Sequence, residues 1–413
     1  MKHILAFDDF VLNRSDNTQR VFKQPQWRFD LAYTDEKIHP RGICITSIVP
    51  APDGGVMALY AGVPGVDTPY DDEHLKRFMA WSPDGLHFEP YEKWGASNGY
   101  PHCCGGCHEP IGGYAFYDSS EIHPAYRYKS PQPLYGYDEQ GKLVEEGARL
   151  LVSSDLVHWA PLNDAPVTPS FVDCYPSMLR NPVTGRFQVT TRRRWGERRI
   201  CLTESEDLTA WSLPRAIVHP LPDDEPTTHL YSMPHCYYAP GDIFIGLLWK
   251  QVMPFNRIMD GPMTTELAYS YDGLTWNRTR TSLCPPLPRG SLGSGGSFIA
   301  GMVDQGDTIC FYMQATRAEH GSIPGGWKPG MPSPRALVPG TLQRNRFVCI
   351  DSGKGQAELI TQWLRLKKPE LTLNANVPFG SLRAELCGAG EGFTLDDFEP
   401  LCGDYLDAPL RWK

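Results

Sequence analysis

The chain has 413 residues, and its 39 Lys and Arg against 48 Asp and Glu leave a formal net charge of -9. That balance argues against the basic face that nucleic acid or an anionic membrane would require. No apolar run approaches the roughly 18 residues needed to cross a bilayer. With 39 glycines, 38 prolines and 11% aromatic residues, the composition suits an all-β protein of many short strands joined by turns. The opening Met1-Lys-His-Ile-Leu-Ala-Phe-Asp-Asp9 has only a few apolar residues before acid intervenes. A secretory core of about 7–15 residues does not fit there, so the expectation is a cytoplasmic protein whose twelve scattered cysteines are reduced.

Residues 1–42 are expected to cover or close a ring of β units. From Ile43 to Pro90 a first four-stranded unit is predicted, with Cys44-Ile-Thr-Ser-Ile-Val and Val56-Met-Ala-Leu-Tyr as its inner hairpin. It contains Ser82-Pro-Asp84-Gly-Leu-His-Phe88, the first of four related segments. A second unit runs from Gly113 to Pro161 and carries Ser153-Ser-Asp155-Leu-Val-His-Trp159. A third starts near Val172 and carries Ser205-Glu-Asp207-Leu-Thr-Ala-Trp211. A fourth pairs Leu230-Tyr-Ser-Met with Asp242-Ile-Phe-Ile-Gly-Leu-Leu-Trp and carries Ser270-Tyr-Asp272-Gly-Leu-Thr-Trp276. A fifth pairs Phe298-Ile-Ala-Gly-Met-Val with Thr308-Ile-Cys-Phe-Tyr-Met, and an eroded copy of the motif is expected at Asp351.

The motif reads as a hairpin: the Asp carboxylate accepts backbone N–H groups, the next residue reverses the chain, and the aromatic anchors the return strand. Successive Asp residues lie 71, 52 and 65 positions apart, enough for one blade each of about 40–50 residues. The expected architecture is a five-bladed β-propeller over 1–351 with a small C-terminal β appendage over 352–413, where runs such as Leu371-Thr-Leu-Asn-Ala-Asn alternate.

This layout resembles the five-bladed glycoside hydrolases of families 32, 43, 62, 68 and 117, and is most similar to uncharacterised bacterial family-32-like proteins. The likeness is carried by Phe7-Asp8-Asp9-Phe-Val-Leu, by Gly246-Leu-Leu-Trp249 with Leu267 to Trp276, and by Phe347-Val-Cys-Ile-Asp351 through Gly392-Phe-Thr-Leu-Asp-Asp. The Trp-Met-Asn-Asp-Pro-Asn-Gly, Arg-Asp-Pro and Glu-Cys motifs of the invertases are absent. The resemblance therefore implies glycoside hydrolysis of an oligosaccharide or glycoside and leaves the sugar open, an acidic or furanosidic one included.

Such hydrolysis needs two carboxyl groups, one donating a proton and one acting as base or nucleophile. In a propeller the Ser-x-Asp turns lie on the face away from the loops that begin each blade, so their acids are structural. Asp173 begins the third unit among apolar neighbours and is the leading candidate, followed by Glu109, Glu319, Asp9 and Asp30; Asp9 gains weight from the resemblance. Arg193, Arg194 and Trp195 can grip an anionic group and stack on a sugar ring. His229, Tyr231 and His235 alternate along the fourth unit's first strand, and Arg317 and His320 flank Glu319. The loop 102–109 gathers His102, Cys103, Cys104, Cys107 and His108, residue types suited to zinc or iron, although no second Cys-x-x-Cys exists to close a site. No cofactor is assigned. A non-catalytic carbohydrate-binding propeller, or a metal-dependent lyase or transferase using that loop, are the alternatives, and a homo-oligomer is compatible with either.

Overall fold

The computed structural model describes residues 3–68, 74–92, 96–97, 100–101, 103–106, 114–137, 143–162, 175–192, 198–254, 261–320, 328, 331–366 and 368–413. The protein is all-β: strands follow one another with only short 3-10 turns between some of them. Among the described residues no helix is long and apolar enough to cross a membrane.

The chain divides into two compact units, one of residues 24–303 and 310–342, the other of residues 1–23, 304–309 and 343–413. Among the described residues, besides a small ladder of Ala96–Ser97 on Tyr100–Pro101, the larger unit contains five groups of antiparallel strands, counted as sheets although the last two are joined into one nine-stranded sheet, and each is built mainly from strands adjacent in sequence. The first uses Cys44–Pro50, Val56–Gly62, Lys76–Ser82 and Glu89–Pro90, with Cys103–Gly106 added along the third strand. The second uses Phe116–Tyr117, Tyr128–Tyr137, Leu143–Ser153 and Ala160–Pro161; the third uses Ser177–Arg180, Phe187–Thr191, Ile200–Ser205 and Arg215–Val218. The fourth sheet begins with two short strands, Thr228–Ser232 and His235–Tyr238, both paired with Ile243–Val252. Pro234 lies between them and has no N–H for the ladder. Met263–Ser270 and Asn277–Ser282 complete it. The fifth comprises Gly296–Asp304, Thr308–Thr316 and Arg335–Gln343, and its outer strand is Gln26–Trp27, from far upstream. A lone parallel bridge, Met263 to Gly296, links the fourth sheet to the fifth.

The apolar clusters record which sheet packs on which. Met57, Leu59 and Met79 of the first sheet meet Tyr128 and Leu156 of the second. Ala148 and Leu150 of the second meet Met178, Phe187 and Val189 of the third. Leu179, Ile200 and Val218 of the third meet Leu230, Phe244, Leu248 and Ala268 of the fourth. Tyr231, Trp249 and Met263 of the fourth meet Phe298 of the fifth. Finally Cys310, Tyr312 and Leu337 of the fifth pack on Ile45, Ala58, Tyr60 and Phe78 of the first. The order of packing thus returns to its start. Burying sheet faces in this way supplies about 25 cal/mol per Å2 of apolar surface, and explains why Val56–Gly62 is buried at every position.

All four Ser-x-Asp segments form the expected turn. In each, the Asp Oδ1 accepts the N–H groups two and three residues on, at 2.7–3.0 Å, and the Ser hydroxyl contacts the same carboxylate. The following residue is left-handed: Gly85 and Gly273 at φ +74° and +73°, Leu156 and Leu208 at +70° and +68°. Trp159, Trp211 and Trp276 each donate their indole N–H back to that residue's carbonyl. Asp351, expected as an eroded fifth copy, instead lies in a strand, Val348–Ser352, paired with Thr18–Phe22. No Ser precedes it by two residues to close the turn.

That pairing belongs to the smaller unit. It is a set of two-stranded ladders: Thr18–Phe22 on Val348–Ser352, Leu12–Asp16 on Glu358–Thr361, and Thr372–Leu382 on Leu401–Pro409. Phe7 packs between Phe22 and Phe347 there.

Candidate functional site

The residues that begin the five sheets meet one another. Cys44 Sγ of the first sheet lies 2.6 Å from the Tyr175 hydroxyl, just before the third. Tyr114, ahead of the second, packs edge-on to Tyr175 at 5.6 Å. Tyr175 also packs against Trp249 at 4.8 Å and Tyr231 at 6.4 Å, in the fourth sheet. Trp249 in turn meets Phe298 of the fifth sheet at 5.2 Å, and its indole donates to the Ile299 carbonyl. Residues at or just before the first strands therefore gather round Tyr175 and Trp249. Tyr175 has a left-handed backbone, φ +60°, a conformation that a bulky residue adopts only when its surroundings impose it. The Ser232 hydroxyl holds its carbonyl at 2.7 Å.

Beside this aromatic cluster stand the cations. The Arg192 guanidinium lies 3.9 Å from the Tyr231 ring centroid and that of Arg198 at 5.2 Å. Arg192 and Tyr231 are both buried, and cation–π contacts strengthen when desolvated. The Tyr231 hydroxyl is hydrogen-bonded to His320 Nε2 at 3.1 Å, and the His320 backbone bridges to Gly261. Arg198 is held by the Gln251 amide oxygen and Met253 Sδ, while its own backbone N–H donates to His229 Nδ1 at 3.1 Å. Burial, then Arg198 and Arg192, push the His229 pKa below the usual imidazole value. Glu319, adjacent to His320, is half-buried, and no described cation or hydrogen-bond donor pairs with its carboxylate.

The structure thus brings together Tyr231, His229, His320 and, by chain adjacency, Glu319. Arg192 and Arg198, which flank the arginine run, join them; their cue in the sequence is the run itself, in which Arg193 and Arg194 are the expected contacts. Arg193, Arg194, Trp195, Asp173 and Glu109 lie outside the described residues, as do His102, Cys107 and His108. Cys103 and Cys104 are in the strand paired with Lys76–Ser82. Among the described residues no three His, Cys, Asp or Glu side chains gather to hold a metal ion.

Other candidates have partners of their own. His235 is in the core between the third and fourth sheets: its Nδ1 contacts Thr190 and Ser177, its ring abuts Trp276, and burial pushes its pKa down to about 3. The interruption at Pro234 breaks the alternation that would have aligned His235 with Tyr231. Arg317 clamps loop backbone, donating to the Ser333 and Gly290 carbonyls. Asp30 is exposed and spent on Arg28 at 2.6 and 2.9 Å, whose hydrogen bonds hold its carboxyl below the usual range. Asp9, in the smaller unit, is exposed and paired with Arg20.

No protein-family model matches the chain, and no curated protein matches it in sequence. Among solved structures it is similar to β-1,2-mannobiose phosphorylase from Listeria innocua, with TM-score 0.51 and 12% identity over 78% of this chain and 97% of that one. An N-acetylgalactosamine deacetylase from F. plautii, bound to blood group B trisaccharide, aligns with TM-score 0.49 and 16% identity over 80% and 97%. A glycosyl hydrolase from Bacteroides ovatus aligns with TM-score 0.46 and 13% identity over 81% and 98%. At such identities what the chain shares with the Listeria phosphorylase is its fold.

Proposed function

We propose that the larger unit is a five-bladed β-propeller enzyme that cleaves glycosidic bonds beside the cluster round Tyr175 and Trp249. The cyclic order of sheet packing supports the propeller, and the Listeria phosphorylase lends the same fold a sugar-processing precedent. The observation that carries the functional reading is the juxtaposition at Tyr231: the half-buried ring of Tyr175, backed by the buried Trp249, a polar Tyr231–His320 pair, and the half-buried Glu319 next to it in the chain, which has no partner among the described residues. Aromatic rings suit the apolar faces of a sugar ring and the polar groups its hydroxyls.

Glu319 and Asp173 serve as the two carboxyl groups, Asp173 standing two residues ahead of the strained Tyr175. One protonates the departing glycosidic oxygen, while the other acts as base or nucleophile at the anomeric carbon. The substrate is an oligosaccharide or glycoside, and Arg192 and Arg198 favour one that carries an acidic group. A second reading, phosphorolysis, rests on the same guanidiniums, which pair with phosphate as readily as with carboxylate.

The test is a screen of aryl-glycosides and oligosaccharides, β-1,2-mannobiose among them, with and without inorganic phosphate. Glu319→Gln is expected to lower kcat at least about 100-fold. Sugar 1-phosphate formed only with phosphate present would select phosphorolysis. Equal turnover by wild type, Glu319→Gln and Asp173→Asn would remove both carboxyls from the mechanism.

A further inference from the structure

We infer that His229 is a specificity-determining donor, locked as the Nε2–H tautomer and offering that hydrogen to an oxygen of the bound sugar. A peptide N–H can only donate, so the Arg198 amide at 3.1 Å from His229 Nδ1 requires an unprotonated nitrogen there. In a neutral imidazole the proton then sits on Nε2, at the far side of the ring.

The lock is held from several directions. Arg198 accepts the Leu230 N–H at its own carbonyl, so its backbone is bonded both to the His229 ring and to the next residue of the strand. Its guanidinium is fixed by Gln251, the residue opposite His229 in the ladder, and by Met253. The charged groups acting on the imidazole are Arg198 and Arg192, and with burial they disfavour the imidazolium. Leu230 points into the core between the third and fourth sheets, a bulge follows it at Tyr231, and the two rings are joined through Arg198, whose amide donates to His229 and whose guanidinium lies 5.2 Å from the Tyr231 ring centroid. Among the described residues no acceptor meets Nε2, and the ring is only half-buried. A donor left open beside the Tyr231–His320 pair is thereby available to ligand. A neutral donor discriminates through the hydrogen bond it loses when the matching oxygen is missing.

The tautomer stands on geometry alone, whereas the sugar as acceptor rests on the glycoside reading, and the test separates them. Full-length protein with 15N-labelled histidine is examined by long-range 1H–15N correlation between pH 5.5 and 8, with His229→Gln to assign the ring. A pyridine-type Nδ1 and pyrrole-type Nε2 throughout are expected; a protonated Nδ1 at any of these pH values overturns the lock. On the glycoside that turns over best in the screen, His229→Phe is expected to raise KM about tenfold or more with kcat within about threefold. His229→Gln, whose amide N–H can replace Nε2–H, recovers most of that loss. Unchanged KM in His229→Phe overturns the donor role, and no turnover of any glycoside by wild type overturns the sugar as its acceptor.

Discussion

A carboxylate in this protein can be consumed by its own turn, paired with a cation, or left without a partner, and the difference lies in a few hydrogen bonds. Asp207 accepts from the Ala210 and Thr209 N–H groups, which hold its carboxyl well below the usual range. At Asp84, Asp155 and Asp272 partial burial opposes ionisation, but the turn's N–H and hydroxyl donors outweigh it and the shift is again downward. A depressed pKa in the folded state gives stability that is present above the unfolded value of about 4 and is lost as pH falls through the folded value. The thermal midpoint should therefore drop as pH is lowered from about 4 towards 2. In Asp207→Asn, which keeps an acceptor oxygen but not the charge, the slope of that drop should be shallower; differential scanning calorimetry at matched ionic strength checks it. Glu319 has no such donors among the described residues, which is why it remains a candidate for chemistry.

Among the elements, the Ser-x-Asp turn shows how one backbone conformation accepts two residue types. The position after Asp is left-handed in all four copies, a conformation that costs a non-glycine residue about 1–2 kcal/mol. Leu156 and Leu208 accept that cost because their side chains are buried in the core, where burying a Leu contributes about 1.5–3 kcal/mol. Gly273 has no room for such an exchange. A Cβ there would stand 2.8 Å from Asn181 Nδ2, and that amide donates to the Asp272 carbonyl. Gly273→Ala is thus expected to destabilise by about 1–3 kcal/mol, measured as a lower midpoint in urea with unchanged slope. A similar economy governs Lys129, fully buried yet paired with both Asp118 and Glu121 and donating to the Tyr126 carbonyl.

For the larger unit taken entire, the telling feature is that its fifth sheet takes its outer strand from upstream of the first. Gln26 and Trp27 pair with Thr341 and Gly340, the Trp27 indole donates to the Leu283 carbonyl, and its ring fills the space where a Gly340 side chain would be. Joining the two ends of the unit in this way makes the outer edge of Arg335–Gln343 depend on a short strand. Trp27→Ala is expected to cost about 2–4 kcal/mol, to lower the thermal midpoint, and to speed proteolysis of the segment around Gln26. An unchanged midpoint would show that the closing strand contributes little.

Local structure was legible in the amino-acid order. Strands such as Val56–Gly62 and Ile243–Val252, and the turns at Asp84, Asp155, Asp207 and Asp272, could be read because a run of strand-forming residues and a Ser-x-Asp hairpin depend on neighbours a few positions away. The fourth sheet's first strand, which carries His229 and Tyr231, was legible for the same reason. Which residues from distant strands meet was not. Tyr231 finds His320 89 positions away, Cys44 finds Tyr175 131 positions away, and Arg192 and Arg198 close over one ring; none of these separations has a periodicity to betray it. The same holds for His235, which looks equivalent to Tyr231 along the chain although a proline between them turns its ring into the core. Contacts of this kind are set by the packing of one sheet on the next, and packing is a property of the folded chain rather than of any short stretch of it.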